Sequence, residues 1–95
     1  MKLDDSSKIN FEIGRQYVIR TVTMIFVGTV KKASTLEIVL EKAAWVPSTC
    51  QWSRFLNGED PNGMEPYPMD VTVPYGCIVD YSEPKNEIEI KLIKY

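Results

Sequence analysis

Histidine is absent from the 95 residues of this chain, so its chemistry must come from other side chains. That absence removes the usual general base, together with every Ser-His and Cys-His nucleophile arrangement. Two isolated cysteines, Cys50 and Cys77, cannot make a closed zinc site. Without an export signal they read as free thiols, with a single disulfide as the alternative. The carboxylates Glu65, Asp70 and Asp80 sit among turn residues, where a solvated surface role fits best. The chain therefore reads as a non-enzyme, with no metal and no cofactor expected. What remains is binding. Arg20 lies in an otherwise apolar run, where its planar fork could hold an anion. The commoner role of such an Arg is to pair a carboxylate or carbonyls across a sheet. Arg54 stands beside Trp52 and Phe55, the best local mixture of charge and aromatic surface. Trp45 and Trp52 could stack on a base, although core or subunit packing is the more frequent use of such rings. Thr21, Thr23, Tyr67 and Tyr75 complete the candidate ligand-binding set. Lys31 and Lys32 read as a solvated turn, and Asn57-Gly58 and Asn62-Gly63 as turn formers with no phosphate loop around them.

The elements that must position these residues are short strands. Ninety-five residues make one domain with a marginal core, which self-association would help. Eleven Lys and Arg against thirteen Asp and Glu leave a net charge of −2, without the positive field that a long polyanion requires. The opening MKLDDSSKIN has no apolar h-region, and no apolar run approaches the roughly 20 residues that span a bilayer. A cytoplasmic protein without a membrane partner is expected.

Residues 1–10 read as a loose N-terminus, followed by Phe11 and Ile13 as an extended lead-in. "IRTVTMIFVGTVKK", residues 19–32, reads as one long β run. Its Thr23-Met24 pair lacks the φ > 0 chemistry of a tight hairpin, so the bend is expected at Gly28. Leu36, Ile38 and Leu40 alternate with Glu37, Val39 and Glu41, which predicts a strand with one buried face. Pro47 ends it. Residues 48–70 read as an insertion. Its first part is a short helix capped by Ser48 or Thr49, with Trp52, Phe55 and Leu56 on one face and Gly58 as the stop. Its second part is a Pro- and Gly-rich loop containing Glu65-Pro66-Tyr67-Pro68, which is expected to dock rigidly on the rest of the fold. Strands at 71–73 and 77–81 flank Pro74-Tyr75-Gly76, and the alternation of 87–92 predicts a last, half-exposed strand. A mostly β fold follows: a small, strongly bent antiparallel β-barrel with one short inserted helix.

Gly28-Thr29-Val30, Leu36 to Ala43, and Val73 to Val79 resemble the two-part signature of Sm-like barrels. In those, a glycine in the second strand precedes a hydrophobic third strand, and a glycine turn closes the barrel. The resemblance implies an Sm-like or SH3-like barrel that forms rings through strand contacts. Ser34 and Glu37 stand where that family carries RNA-binding Asp and Asn, and Tyr75 precedes Gly76 where it carries Arg. RNA binding is thus the least favoured of the binding readings. Tyr17 to Thr23, Val39 to Val46, and Glu65 to Pro68 resemble a family of small tailed-bacteriophage proteins that share IRTVT, LEDAAW-like and EPFP-like blocks. This resemblance spans residues 14 to about 81. It implies a phage origin and a setting in the host cytoplasm or the virion. The expected function is a small homo-oligomeric binding module, acting in the infected host on a host protein or a small anionic nucleotide of antiviral signalling. A structural virion component is the alternative.

Overall fold

A computed structural model describes residues 11–47, 51–58 and 63–90. The expectations for residues 1–10, for Ser48, Thr49, Cys50 and Asn62, and for residues 91–95 lie outside the described residues.

The long β run of residues 19–32 breaks at the position the turn chemistry seemed to forbid. β1 (Gln16–Thr21) and β2 (Ile25–Ala33) pair antiparallel from Gln16 opposite Thr29 to Arg20 opposite Ile25. Residues 21–24 form the hairpin between them. The Thr21 N–H donates to the Met24 carbonyl at 2.7 Å. The Thr21 hydroxyl donates to that carbonyl at 2.9 Å and accepts from the Met24 N–H at 3.0 Å. A side-chain oxygen thus takes the place of a backbone carbonyl, and the turn needs no residue at positive φ. Lys42, at φ 48°, is the one non-glycine residue in that region among those described.

Gly28 serves close approach within β2. A Cβ there would lie 3.0 Å from the Cβ atoms of both Leu40 and Ala43. Opposite it on β3 (Glu37–Trp45), the register slips from Val27–Ala44 to Thr29–Glu41, so two residues of β2 face three of β3. Lys42 lies within that bulge, which bends the sheet at Gly28. Ile38 and Leu40 are buried as the alternation requires, but Leu36 precedes the strand in a turn and is 74% exposed.

The free side of β3 is covered by β4 (Glu65–Pro66) and β5 (Val71–Pro74), and that of β1 by β6 (Ile78–Ser82). The Glu65-Pro66 part of the expected rigid loop is therefore a two-residue strand on Ala44 and Trp45. A single 3₁₀ turn, Tyr75–Cys77, carries the chain from one edge of the sheet to the other. Its Tyr75 N–H donates to Leu36 O, and its Cys77 O accepts from the Val22 N–H. A flat sheet would hold β5 and β6 roughly 19 Å apart, four strand spacings. Three residues of 3₁₀ helix rise only about 6 Å, so the sheet must curl. It does not close. The strand path ends at β6 on one side and at β4 and β5 on the other, without a β5–β6 ladder. The expected barrel, and with it the Sm-like and SH3-like architecture, is overturned. The 3₁₀ turn carries the chain on from the β3 edge to the β1 edge, so β5 pairs with β3 and β6 with β1, and the two do not pair with each other.

Both faces of the sheet are buried. Tyr17, Ile19, Phe26, Val30, Ile38, Leu40, Ala43 and Val73 form the inner core, with Phe11, Tyr75 and Tyr81 packed against it. Phe11 meets Tyr17 edge-on at 4.9 Å between ring centroids. Val18, Val27, Ala44 and Val46, pointing the other way, form an outer core with Phe55 and Ile88. Phe55 comes from α1 (Trp52–Leu56), which starts at Gln51 without a side-chain cap. Gly58 ends it at φ 101°, with its N–H on the Phe55 carbonyl at 2.9 Å.

Ile88 comes from a segment expected to be a strand. Among the described residues it joins no ladder, although Ile88 is buried and Glu87 and Glu89 are exposed as the alternation requires. The Gln16 amide supplies the missing pairing: its Nε2 donates to Ile88 O and its Oε1 accepts from the Ile88 N–H, both at 2.8 Å. No described helix is long and apolar enough to cross a membrane.

Candidate functional site

Arg20 on β1 lies directly opposite Asp80 on β6. Its Nε donates to Asp80 Oδ1 at 2.8 Å, and a second guanidinium nitrogen donates to Oδ2. This bidentate bond holds the Asp80 carboxyl below the usual aspartate range and raises the Arg20 guanidinium in turn. The guanidinium carbon also stands 5.3 Å from the centroid of the Trp52 ring, which lies 6.0 Å from Phe55. Arg20 therefore joins three elements, β1, β6 and α1. Its fork is occupied by a carboxylate, the cross-sheet role that sequence reasoning weighed against anion recognition.

The other candidates are dispersed. Thr21 organises the first hairpin, and Thr23 is exposed within it. Trp45 is 38% exposed, with Phe26 of β2 and Glu65 of β4 as its strand partners. Tyr67 packs on the inner core, 6.1 Å from Phe26 between ring centroids. Tyr75 stacks on Phe11 and donates its hydroxyl to Ser34 O at 2.7 Å, and burial raises its phenol pKa. Arg20 and Trp52 are thus brought together, with Arg54 on the same helix, while Tyr67 and Tyr75 belong to the inner core.

Lys85 was not singled out from the sequence. It joins Ser53, Arg54, Leu56 and Asn57 around an open groove of about 450 Å³ at the seam between α1 and the chain that follows β6. Its N–H donates to Leu56 O at 2.7 Å, and Asn86 Nδ2 donates to Asn57 O at 2.8 Å. No local signal marks this meeting, because Pro84-Lys85-Asn86 reads as an ordinary polar turn. A smaller groove of about 310 Å³ is lined by Glu12, Arg15, Tyr17, Tyr81, Ser82 and Glu83. There Arg15 is bound by Glu12 at 2.5 Å and Glu83 at 3.1 Å. Among the described residues, no group of three or more potential ligands could hold a metal ion.

No family model, curated protein or solved structure matches this chain.

Proposed function

We propose that the chain is a small non-enzymatic binding module, carried by a tailed phage, that joins a partner strand along its β6 edge. The partner is a second copy or a host protein met in the cytoplasm of the infected cell. The observation that carries this reading is the contrast between the two edges of the open sheet. The β4/β5 edge bears Pro66, Pro68 and Pro74, and proline offers no N–H to an incoming strand. β6, Ile78 to Ser82, contains no proline and is paired only with β1 among the described residues. Such an edge is a template for strand addition. Apolar surface accompanies it. Val79 is 61% exposed on β6, and Val22, 77% exposed, is anchored beside the start of that strand through its N–H bond to Cys77 O.

Light scattering of the wild type and of a Val22→Lys/Val79→Lys variant tests the reading. Both side chains are exposed, so the variant should fold. The wild type should be an oligomer, or should hold a host protein on purification from infected cells, and the variant should lose that partner. A monomeric wild type with no bound protein would overturn the reading. Sedimentation with phage particles would instead make the chain a virion component.

A further inference from the structure

We infer that Asn57-Gly58 is a self-modification site, where the Asn57 amide converts to aspartate or isoaspartate, and that the seam between α1 and residues 84–86 is the catch that withholds the reaction. An Asn-Gly pair is open to this deamidation because glycine, without a Cβ, leaves its backbone nitrogen unshielded and its peptide free to turn. Neither an enzyme nor a metal is needed. Solvent hydroxide takes the proton of the Gly58 nitrogen, which attacks Asn57 Cγ. The Cγ–Nδ2 bond breaks, and the leaving nitrogen takes a proton from water and departs as ammonia, restoring the hydroxide. A five-membered cyclic imide remains, and water adds to one of its two carbonyl carbons. Breaking the Gly58 N–Cγ bond then gives aspartate. Breaking the bond from Gly58 N to the Asn57 backbone carbon gives isoaspartate, with the chain routed through the side chain. The net change is water in and ammonia out.

The fold holds the reacting atoms out of line. Asn57 is exposed, so water and hydroxide reach it. Ring closure requires the Gly58 nitrogen and Asn57 Cγ on the same side of the Asn57 Cα–C bond. At the observed ψ of 0° that nitrogen is turned away from the side chain, so this torsion must rotate before attack. Two hydrogen bonds oppose the rotation, one on each side of the same peptide. The Gly58 N–H donates to Phe55 O at 2.9 Å, and Asn57 O accepts from Asn86 Nδ2 at 2.8 Å. Turning ψ swings both groups off their partners together. Contact adds to the restraint: a Cβ on Gly58 would lie 2.8 Å from that of Asn86, so the peptide has little room on that side. Reaction therefore waits for the seam to part, a local opening of the kind that separate ties permit. Its product does not reset. A carboxylate is added where the carbonyls of α1 already point, and isoaspartate lengthens the backbone between Leu56 and Gly58 by one atom. Each reaction thus leaves the seam looser than before.

Peptide mass mapping of the full chain, aged warm at mildly alkaline pH with and without denaturant, tests the site. Asn57 should lose its amide in both samples, at least about tenfold more slowly in the folded chain, the factor set by a modest local opening. Asn86→Ala removes one of the two restraining bonds. Asn86 is exposed, so the fold should persist. The rate at Asn57 in the folded variant should rise about fivefold, the factor that one ordinary hydrogen bond represents. Asn62-Gly63, the other Asn-Gly pair of the sequence, supplies the comparison in the same digest, and its rate should not change in the variant. In the purified aged protein, hydrogen exchange should be faster at residues 84–90 than in fresh protein. The inference is overturned if Asn57 keeps its amide in denaturant, or reacts equally fast in the folded and denatured chains. It is also overturned by an unchanged rate at Asn57 in Asn86→Ala, by equal acceleration at Asn62, or by unchanged exchange in the aged protein. None of these readouts depends on strand addition at β6.

Discussion

The two cores of this molecule are equally dry, yet they are held by different means. Around the inner core, β1, β2, β3, β5 and β6 are joined edge to edge by backbone pairing. The outer core borrows Phe55 and Ile88 from segments that add no strand to the sheet. Those segments are tied down by individual bonds: the Gln16 clamp on Ile88, Lys85 N–H on Leu56 O, Asn86 on Asn57, and Arg20 against Trp52. A ladder resists opening because its rungs break together, whereas separate ties can yield one at a time. The inner core should therefore open only with the whole fold, and the outer core locally.

The largest effects should come from Leu40→Ala and Phe55→Ala, which remove fully buried side chains from the inner and outer cores. Each should cost about 3 kcal/mol, within the usual range for such truncations. The difference lies in where the loss appears. Hydrogen exchange should quicken throughout the sheet in Leu40→Ala. In Phe55→Ala it should quicken mainly at residues 52–58 and 84–90. Uniform loss of protection in both variants would break the comparison.

Gly28→Ala should come next. The added methyl meets the Cβ atoms of Leu40 and Ala43 at 3.0 Å, so the bulge of β3 must shift to admit it. A loss of about 1–3 kcal/mol is expected from overpacking, measured by denaturant unfolding. An unchanged midpoint would mean that the bulge is soft, and that close approach at Gly28 contributes little to the bend.

Legibility in the sequence follows the same division. The alternation that buries Ile38 and Leu40 is a backbone property of period two, and it was readable. Leu36 continues that pattern on paper, but it falls before the first rung of β3 and stays in water. The break in the long β run was not readable from glycine and asparagine, because the Thr21 hydroxyl does the turn's work. Ile88 was legible as buried. Its partner was not, since a glutamine side chain replaces the neighbouring strand. Short strands and glycines suggest closure into a barrel, but closure depends on whether β5 and β6 pair, and the 3₁₀ turn Tyr75–Cys77 between them, which no local signal marks, leads β6 to β1 instead. Of the candidate site, Arg54 was visible as a cation beside aromatic residues. Lys85 was hidden by its distance along the chain from α1.

Gln16→Ala sharpens the comparison at a single tie. It removes two hydrogen bonds and leaves the backbone N–H and carbonyl of Ile88 without their partner, at a cost of about 1–2 kcal/mol. Exchange at the Ile88 amide should accelerate while β2 and β3 keep their protection. Equal acceleration in the sheet would show that the clamp belongs to the same cooperative unit as the ladder.

Arg20→Ala should have the smallest effect, and its pH dependence separates the two contacts of this side chain. The Asp80 carboxyl is held below the ordinary aspartate value of 3.8, chiefly by its hydrogen bonds from Arg20. A carboxyl depressed in the folded state binds its proton more readily when unfolded. Its contribution is therefore full above the unfolded pKa and fades as pH falls through the folded one. Both side chains are 45% exposed, so solvent and salt screen the pair and the loss at neutral pH should be slight. Thermal unfolding of wild type and variant should differ a little at neutral pH, less in high salt, and least once Asp80 is protonated in both states, when only the Trp52 contact separates them. The stacking of the guanidinium on Trp52 does not titrate in that range. A small difference should therefore survive in acid, and its absence would remove Arg20 from the ties of the outer core.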